Sequence, residues 1–215
     1  MKLDFPYSAL LIIDVQYDFC PGGALGVEEG DLVIEPLNRL SCLFSGRQGR
    51  VIVTQDWHPA DHVSFASSHE NKKPGDTVDL PAAKNQVLWP DHCVQGSRGA
   101  ELHEKLNIKP ISLILRKGFR RELDSYSAFF ENDRKTPTGL DGFLKSLSIS
   151  TVVLGGLATD YCVFYSAMDA ISLGYRTMVA GDAVRGVDYP KGSVEEALKN
   201  FEKAGVGLIS SEDLA

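Results

Sequence analysis

Residues 151–173 read TVVLGGLATDYCVFYSAMDAISL, and this stretch predicts a buried strand that runs directly into a helix. The apolar run Thr151 to Leu154 lacks the polar alternation of a half-exposed strand, which is typical of strands covered on both faces. Glycines and polar residues follow, and Tyr161 to Leu173 then carries apolar side chains at helical spacing. A strand that leads into a helix is the repeating unit of parallel sheets.

Similar apolar runs recur along the chain, with amphipathic stretches between some of them. This order predicts an α/β fold, a three-layer sandwich in which helices cover both faces of a mostly parallel sheet of about six strands. The length of 215 residues suits a single domain, 1–215. A segment at about 56–109, rich in Pro, Gly, Asp and His, interrupts the pattern as a long insertion. The other predicted strands are Leu10–Val15, Val51–Thr54, Ile111–Leu115, Thr177–Val179 and Val206–Ile209, and the other predicted helices are Leu32–Phe44 and Val194–Ala204.

Composition and charge exclude several classes of partner. The net charge of −7 argues against nucleic acid and against an anionic membrane surface, since both need a basic face on the protein. There is no run of about eighteen apolar residues and no signal-peptide pattern, so we expect a cytoplasmic protein. The four cysteines lack CxxC spacing, which favours separate thiols over disulfides or a structural zinc site. The sequence leaves open whether the chain forms a homo-oligomer.

Chemically reactive residue types follow the predicted strands at the points where the strands end. Asp14 ends the first strand, Asp56 and His58 end the second, and Lys117 ends the third. Cys162 begins the helix that follows the fourth. Because the carboxyl ends of parallel strands share one edge of the sheet, these side chains should converge there.

Cys162 is the candidate nucleophile of this group. At a helix N-terminus, free backbone N–H groups stabilise a thiolate and can bind the negative oxygen of a tetrahedral intermediate. Asp14 could take the thiol proton, while Lys117 stabilises the thiolate and keeps Asp14 acidic. The alternatives are an inert buried thiol, a turn-capping aspartate and a surface lysine. Thr159 or Asp160 is predicted to cap the helix that Cys162 begins.

An aspartate and two histidines form a candidate metal site. Asp56 and His58 stand two residues apart on an extended chain and so project to the same side, and His92 could complete the set. Three such ligands leave coordination positions open for water or substrate, as in a catalytic or binding site. His62 is a fourth candidate ligand. The donor types suit zinc, iron or manganese.

Several segments, LLIIDVQYDFCPGGAL, VTQDWHPADHVSF, LWPDHCVQGSRGAELH, LRKG, VVLGGLATDYCVFYSAMDA and AGDAVRG, occur in this order along most of the chain. They resemble the nicotinamidases (pyrazinamidases), within the isochorismatase-like cysteine hydrolases. The resemblance implies that Asp14, Lys117 and Cys162 are the base, the thiolate stabiliser and the nucleophile. It also implies one divalent metal ion, zinc before iron or manganese, bound by Asp56, His58 and His92, with His62 matching a ligand of only some members.

The resemblance implies further roles around the nucleophile. The peptide bond between Leu157 and Ala158 would be cis, and the backbone N–H groups of Ala158 and Cys162 would form the oxyanion hole. Residues 119–133 form a longer segment than in shorter members of the family. The aromatic side chains that match the family's ring-binding residues are Phe19, Trp89 and Tyr126.

The implied reaction is hydrolysis of nicotinamide to nicotinate and ammonia, through a thioester on Cys162, as a step of NAD salvage. Pyrazinamide would be a further substrate. The alternative enzyme is another isochorismatase-like hydrolase that acts on a different small amide or a ureido compound. The alternative of another class is a metal- or ligand-binding protein without catalysis, since a fold does not fix a function.

Overall fold

The computed structural model describes residues 3–81 and 83–214, and a six-stranded parallel sheet forms its centre. Viewed across the sheet, the strand order is β5-β2-β1-β6-β7-β8. Two short strands, β3 and β4, form a separate antiparallel pair. In chain order the strands are β1 Ser8–Ile13, β2 Arg50–Asp56, β3 Thr77–Val78, β4 Gln86–Val87, β5 Leu113–Lys117, β6 Thr151–Leu157, β7 Arg176–Arg185 and β8 Gly207–Ile209.

Helices cover both faces of this sheet, because successive side chains of each central strand point to opposite sides. On β1, Leu10 and Ile12 pack in one apolar cluster with α1, whereas Leu11 and Ile13 pack in a second cluster with α2, α3 and α4. The predicted three-layer α/β sandwich is therefore confirmed. The helices are α1 Ile34–Gly46, α2 Leu140–Ser146, α3 Phe164–Ser172 and α4 Ser193–Ala204, with a π-helical turn Thr159–Val163 and short 3₁₀ turns at Phe5–Tyr7, Tyr17–Phe19, Gly30–Val33, Ala66–Ser68 and Ser211–Leu214.

All six predicted strands and the three predicted helices are present, with shifted ends. β6 continues past the predicted end through Gly155 and Gly156 to Leu157. At Gly156 a side chain is impossible, since a Cβ atom would lie 2.1 Å from the carbonyl oxygen of Ile13. The sequence pattern missed α2, a helix of only seven residues, too short for a helical period to stand out.

The sheet order creates a crevice at the carboxyl end of β1. The chain builds β2 and β5 on one side of β1 and then crosses back to place β6, β7 and β8 on the other. Such a reversal point in a parallel sheet leaves an open cleft between the loops that follow the two central strands. Asp14 follows β1 and the turn that contains Cys162 follows β6, so both lie at this cleft.

The long segment between β2 and β5 is attached to the same edge of the sheet. Its backbone bonds to the loop after β1, where Asp18 N–H donates to Gly99 O at 3.0 Å and His103 N–H donates to Val15 O at 2.9 Å. Within the segment, His58 N–H donates to Cys93 O at 3.0 Å. Across residues 3–81 and 83–214, none of the helices combines the length and the apolar character needed to span a bilayer.

Candidate active site

Lys117 connects the residues that the sequence singled out. Its ammonium nitrogen lies 2.8 Å from Asp14 Oδ2, 2.5 Å from Asp56 Oδ1 and 3.5 Å from the sulfur of Cys162. It also donates to the carbonyl oxygen of Ser125 at 2.8 Å. A carboxylate oxygen of Asp14, one of Asp56 and the Cys162 sulfur all lie within 4.8 Å of one another. The structure thus brings the predicted base, ammonium and thiol together in one buried cluster.

Burial and charge act in opposite directions on these groups. Burial favours the neutral forms and raises the pKa of both the Asp14 carboxyl and the Cys162 thiol, although the charge of Lys117 opposes both shifts. Burial also favours the neutral amine of Lys117, but Asp14 and Asp56 outweigh it and raise the pKa of Lys117 well above its usual value. Lys117 is therefore a stable cation, and Cys162 keeps its proton until a base removes it.

Desolvation of the fully buried carboxyl is the larger effect and raises the pKa of Asp14 overall, while Lys117 lowers that pKa in the direction expected from the sequence. The raised pKa of Asp14 suits the role of general base that the sequence indicated for it. A carboxylate with a raised pKa accepts a proton more readily, as a general base must do.

Cys162 lies in the π-helical turn between β6 and α3. The peptide bond between Leu157 and Ala158 is cis, as the family resemblance implied. Ala158 and Cys162, the two residues named for the oxyanion hole, line the same cavity.

Asp56, His58 and His92 offer ligand atoms that lie within 4.8 Å of one another, and all three residues are buried. His58 Nδ1 bonds to Gly118 O at 2.8 Å and His92 Nδ1 bonds to Pro90 O at 2.8 Å. A carbonyl oxygen only accepts, so each Nδ1 is the donor in these bonds. The other ring nitrogen of His58, Nε2, lies 3.5 Å from Asp56 Oδ2. Such oriented imidazoles beside a carboxylate fit a divalent metal ion.

Burial and charge act differently on the three candidate ligands. Burial alone would lower the pKa of His58, but the neighbouring Asp56 raises it overall. Burial, followed by the neighbouring His58, lowers the pKa of His92 to about 4, so His92 is a neutral ligand at physiological pH. Burial alone would raise the pKa of Asp56, but Lys117 and His58 hold it well below its usual value. Asp56 is therefore ionised. Gln16 fixes its backbone, because the Gln16 amide accepts from Asp56 N–H and donates to Asp56 O, both at 2.8 Å.

His62 lies next to this set but belongs to a different group. Its ring stacks on His58 with centroids 4.3 Å apart, and it clusters with His58 and Asp124. Nδ1 bonds to the Ser64 hydroxyl at 2.7 Å, and Nε2 faces the carbonyl oxygen of Leu123 at 3.3 Å. Both nitrogens of His62 thus have protein partners outside the Asp56, His58 and His92 set.

An apolar cavity, lined largely by aromatic side chains, lies at Cys162. The predicted aromatics line it, and Trp89 Nε1–H donates to the Tyr126 hydroxyl at 3.1 Å. The cavity reaches both Cys162 and the Asp56–His92 side of the metal cluster. Its lining residues are Phe19, Leu25, Asp56, Trp89, His92, Asp124, Tyr126, Ala158, Tyr161, Cys162 and Val187.

Two further residues that line the cavity, Tyr161 and Val187, were not predicted from the sequence. Tyr161 contacts the edge of Trp89, with ring centroids 4.9 Å apart, and Val187 closes the side that follows β7. Two signals were available. Tyr161 directly precedes the candidate nucleophile, and Val187 follows the end of a parallel strand, as the other site residues do.

Asp160 fixes the loop that brings Val187 to the cavity. The prediction that Thr159 or Asp160 caps the helix is wrong, since Ala158 stands at the N-cap position without a side-chain bond. The Asp160 carboxylate instead accepts from the N–H groups of Val187 and Asp188, at 3.0 and 2.9 Å, and from the Ser193 hydroxyl at 2.5 Å. The residue two positions before Cys162 therefore fixes the loop that carries Val187.

A family model described as the isochorismatase domain matches residues 8–213. Among curated proteins, a nicotinamidase from Acinetobacter baylyi is 47% identical over 206 residues, which cover 96% of this chain and 94% of the relative. A nicotinamidase from Escherichia coli is 45% identical over 210 residues, which cover 97% of both chains.

Solved structures that are similar to this chain include further nicotinamidases and pyrazinamidases. A nicotinamidase/pyrazinamidase from Acinetobacter baumanii superposes with a TM-score of 0.93 at 47% identity, covering 98% of this chain and 99% of the other. A protein from L. infantum in complex with nicotinate gives 0.84 at 34% identity, covering 99% and 96%. A pyrazinamidase from Pyrococcus horikoshii in complex with zinc gives 0.78 at 30% identity, covering 95% and 99%.

Proposed function

We propose that this chain, which belongs to the isochorismatase family, hydrolyses nicotinamide to nicotinate and ammonia. The observation that carries the proposal is the position of Lys117, paired with two carboxylates and 3.5 Å from the Cys162 sulfur, beside an aromatic cavity. The cavity joins a buried thiol to a buried Asp/His/His set, so one small planar ligand can reach both. Pyrazinamide, whose ring differs by one nitrogen, fits the same cavity and is proposed as a second substrate.

The chain's own residues account for the bond-breaking steps. The pyridine ring lies among Phe19, Trp89 and Tyr126, which places the carboxamide over Cys162. Asp14 removes the thiol proton, and the sulfur attacks the carboxamide carbon while Lys117 stabilises the negative charge near it. The N–H groups of Ala158 and Cys162 receive the oxyanion.

Collapse of the tetrahedral intermediate completes the first half of the reaction. Asp14 returns its proton to the departing nitrogen, so ammonia leaves and a thioester remains on Cys162. Asp14 then deprotonates a water molecule, and the resulting hydroxide attacks the thioester carbon. As the C–S bond breaks, Asp14 passes this proton to the Cys162 sulfur, and the nicotinic acid leaves as nicotinate after losing its own proton to solvent. General acid and base steps of this kind contribute roughly 10²- to 10⁴-fold to a rate.

Asp56, His58 and His92 would hold one divalent ion, and we propose Zn²⁺, for which two imidazoles and a carboxylate form a suitable open set. When bound, it would supply an electron-pair acceptor for the pyridine nitrogen and so orient the ring. His62 is left out of the proposed ligand set, because its two nitrogens are bonded to Ser64 and Leu123.

A substrate panel tests the proposed function. We expect ammonia release from nicotinamide and pyrazinamide, and much slower release from benzamide, which has the same shape but no ring nitrogen. Ureido compounds and isochorismate should not turn over. Turnover of a ureido compound or of isochorismate, with none of nicotinamide, would assign the chain to another branch of the family.

Removal of the metal should selectively weaken the reaction with nicotinamide. After chelation, we expect kcat/KM to fall by about 10- to 100-fold, which corresponds to roughly 1.4–2.8 kcal/mol of lost binding energy. His92→Ala should reproduce this loss and lower the amount of bound zinc measured by mass spectrometry. His103→Ala is the matched control, since His103 lies outside the cluster and should change neither quantity. Full activity in a metal-free sample would contradict the proposed role.

The loop held by Asp160 should control substrate affinity more than chemistry. We expect Asp160→Asn to raise KM for nicotinamide by about tenfold, since a neutral amide cannot accept all three hydrogen bonds and Val187 loses its support. kcat should change much less. Asp169→Asn is the matched control, because Asp169 is a buried aspartate in α3 that pairs with Arg134 and does not line the cavity. Equal KM values in the two variants would show that Asp160 has no particular role in binding.

A further inference from the structure

We propose that Thr54 is a positioning residue that decides which oxygen of Asp14 exchanges protons with Cys162. The inference rests on the proposed function, in which Asp14 is the base. Thr54 lies on β2, beside the end of β1, and both Thr54 and Asp14 are fully buried. Thr54 does not line the cavity, and among the described residues the hydrogen bonds of its hydroxyl join it to Asp14.

Two hydrogen bonds join these residues in a closed ring. The Asp14 backbone N–H donates to the Thr54 hydroxyl oxygen at 3.1 Å, and the same hydroxyl donates to Asp14 Oδ1 at 2.6 Å. Asp14 has a φ of +48°, a left-handed conformation that is uncommon for residues other than glycine. This conformation ends β1 and lets backbone and side chain of Asp14 reach one hydroxyl.

The ring sets the direction of the hydroxyl proton. A backbone N–H can only donate, so the Thr54 oxygen must act as its acceptor. Asp14 Oδ1, at 2.6 Å, is the acceptor of the hydroxyl proton, and with this bond in place Oδ1 accepts whether or not Asp14 is ionised. A proton taken up by Asp14 must then sit on the other oxygen, Oδ2.

Oδ2 is the oxygen on the reactive side. It lies 2.8 Å from the Lys117 ammonium, which is itself 3.5 Å from the Cys162 sulfur. In the proposed step the S–H bond breaks, an O–H bond forms at Oδ2, and the electron pair left on sulfur forms the bond to the carboxamide carbon. The same proton moves from Oδ2 to nitrogen as the C–N bond breaks. Thr54 thus keeps the proton off Oδ1 and on the oxygen that lies beside Lys117.

The experiment compares Thr54→Val with Thr54→Ser. Valine keeps the shape but lacks the hydroxyl, so we expect kcat for nicotinamide to fall by about 10- to 100-fold, the factor expected for a lost hydrogen bond to a charged group, with KM within about twofold of wild type. Serine restores the hydroxyl, and kcat should recover to within about threefold of wild type. The rate at which iodoacetamide alkylates Cys162, followed on the Cys162 peptide by mass spectrometry, should fall in the valine variant and recover in the serine variant.

Thr177→Val is the matched control. Thr177 is a buried threonine on β7 whose hydroxyl donates to the backbone carbonyl of Tyr175. The control therefore removes a buried threonine hydroxyl that has no bond to Asp14. This variant should keep the wild-type kcat and alkylation rate. Zinc content is measured in each variant, because Thr54 is two residues from Asp56. If Thr54→Val does not fold, Thr54→Ala replaces it in the same assays.

The inference is overturned if the valine or alanine variant, folded and with wild-type zinc content, keeps the wild-type kcat and alkylation rate. It is equally overturned if the serine variant loses as much as the valine variant. Alkylation needs no substrate, so it still tests the Thr54–Asp14–Cys162 connection if nicotinamide is not turned over. Absence of turnover in the wild-type protein would contradict the proposed function instead.

Discussion

The variant Cys162→Ala should release ammonia from nicotinamide at least about 10⁴-fold more slowly than the wild-type protein, the scale expected when a catalytic nucleophile is removed. Alanine cannot form a thioester, and the residual reaction depends on the oxyanion donors and substrate positioning alone. Cys162 is one of eleven residues that line the cavity and the other ten are unchanged, so nicotinate binding measured by calorimetry should stay within about threefold of wild type.

Cys42→Ala provides the matched control for this variant. Cys42 is a free, exposed cysteine of α1, away from the cleft, and its loss should leave kcat and KM unchanged. Under conditions that slow the second half-reaction, mass spectrometry should detect a nicotinoyl adduct on Cys162 of the wild type and of Cys42→Ala. Substantial turnover by Cys162→Ala would remove the thiol from the mechanism and leave a binding or metal-dependent role for the cleft.

Replacement of Lys117 by methionine should reduce both activity and stability. Methionine has a similar length but no charge, so the buried carboxylates of Asp14 and Asp56 would face each other without a cation. Removing one partner of a buried ion pair costs about 3–5 kcal/mol in the free energy of unfolding. Loss of one oriented electrostatic contact in an active site lowers kcat by about 10²- to 10³-fold.

Lys145→Met separates the site-specific effect from the loss of any lysine. Lys145 forms an exposed pair with Asp141 one helical turn away, at 2.7 Å, and such a pair contributes about 1 kcal/mol or less. Denaturant unfolding should therefore show a large change for Lys117→Met and a small one for Lys145→Met, with kcat measured only where each protein is folded. A folded Lys117→Met variant with wild-type kcat would show that the ammonium takes no part in the reaction.

Much of the site followed from local sequence patterns. Apolar runs without alternation predicted strands covered on both faces, and parallel strands place their carboxyl ends at one edge. That rule alone brought Asp14, Lys117 and Cys162 to the same side of the sheet, although more than a hundred residues separate the first from the last. The spacing of Asp56 and His58 predicted that both side chains face one point, because alternate residues of an extended chain share a side.

Other features depended on contacts that no local pattern records. Asp160 was expected to cap a helix, since aspartate at such a position usually does so, but the loop after β7 offers its carboxylate two N–H groups and a hydroxyl. The short helix α2 was missed because seven residues contain too few turns to show a period. The net rise in the pKa of Asp14, where burial outweighs the charge of Lys117, could be read only from the three-dimensional surroundings of the carboxyl.

The sequence by itself determined the strands, the class of fold, the family and the residue types at the reactive edge, because strand and helix periods and the ends of strands are local properties of the chain. Only the tertiary structure decided that β1 lies between β2 and β6, which places Thr54 against Asp14 and the turn of Cys162 on the other side. Strand order depends on how whole layers pack, and the free energy of that packing is shared among residues far apart in the chain. Which oxygen of Asp14 carries the proton therefore depends on the assembled sheet and not on the local sequence.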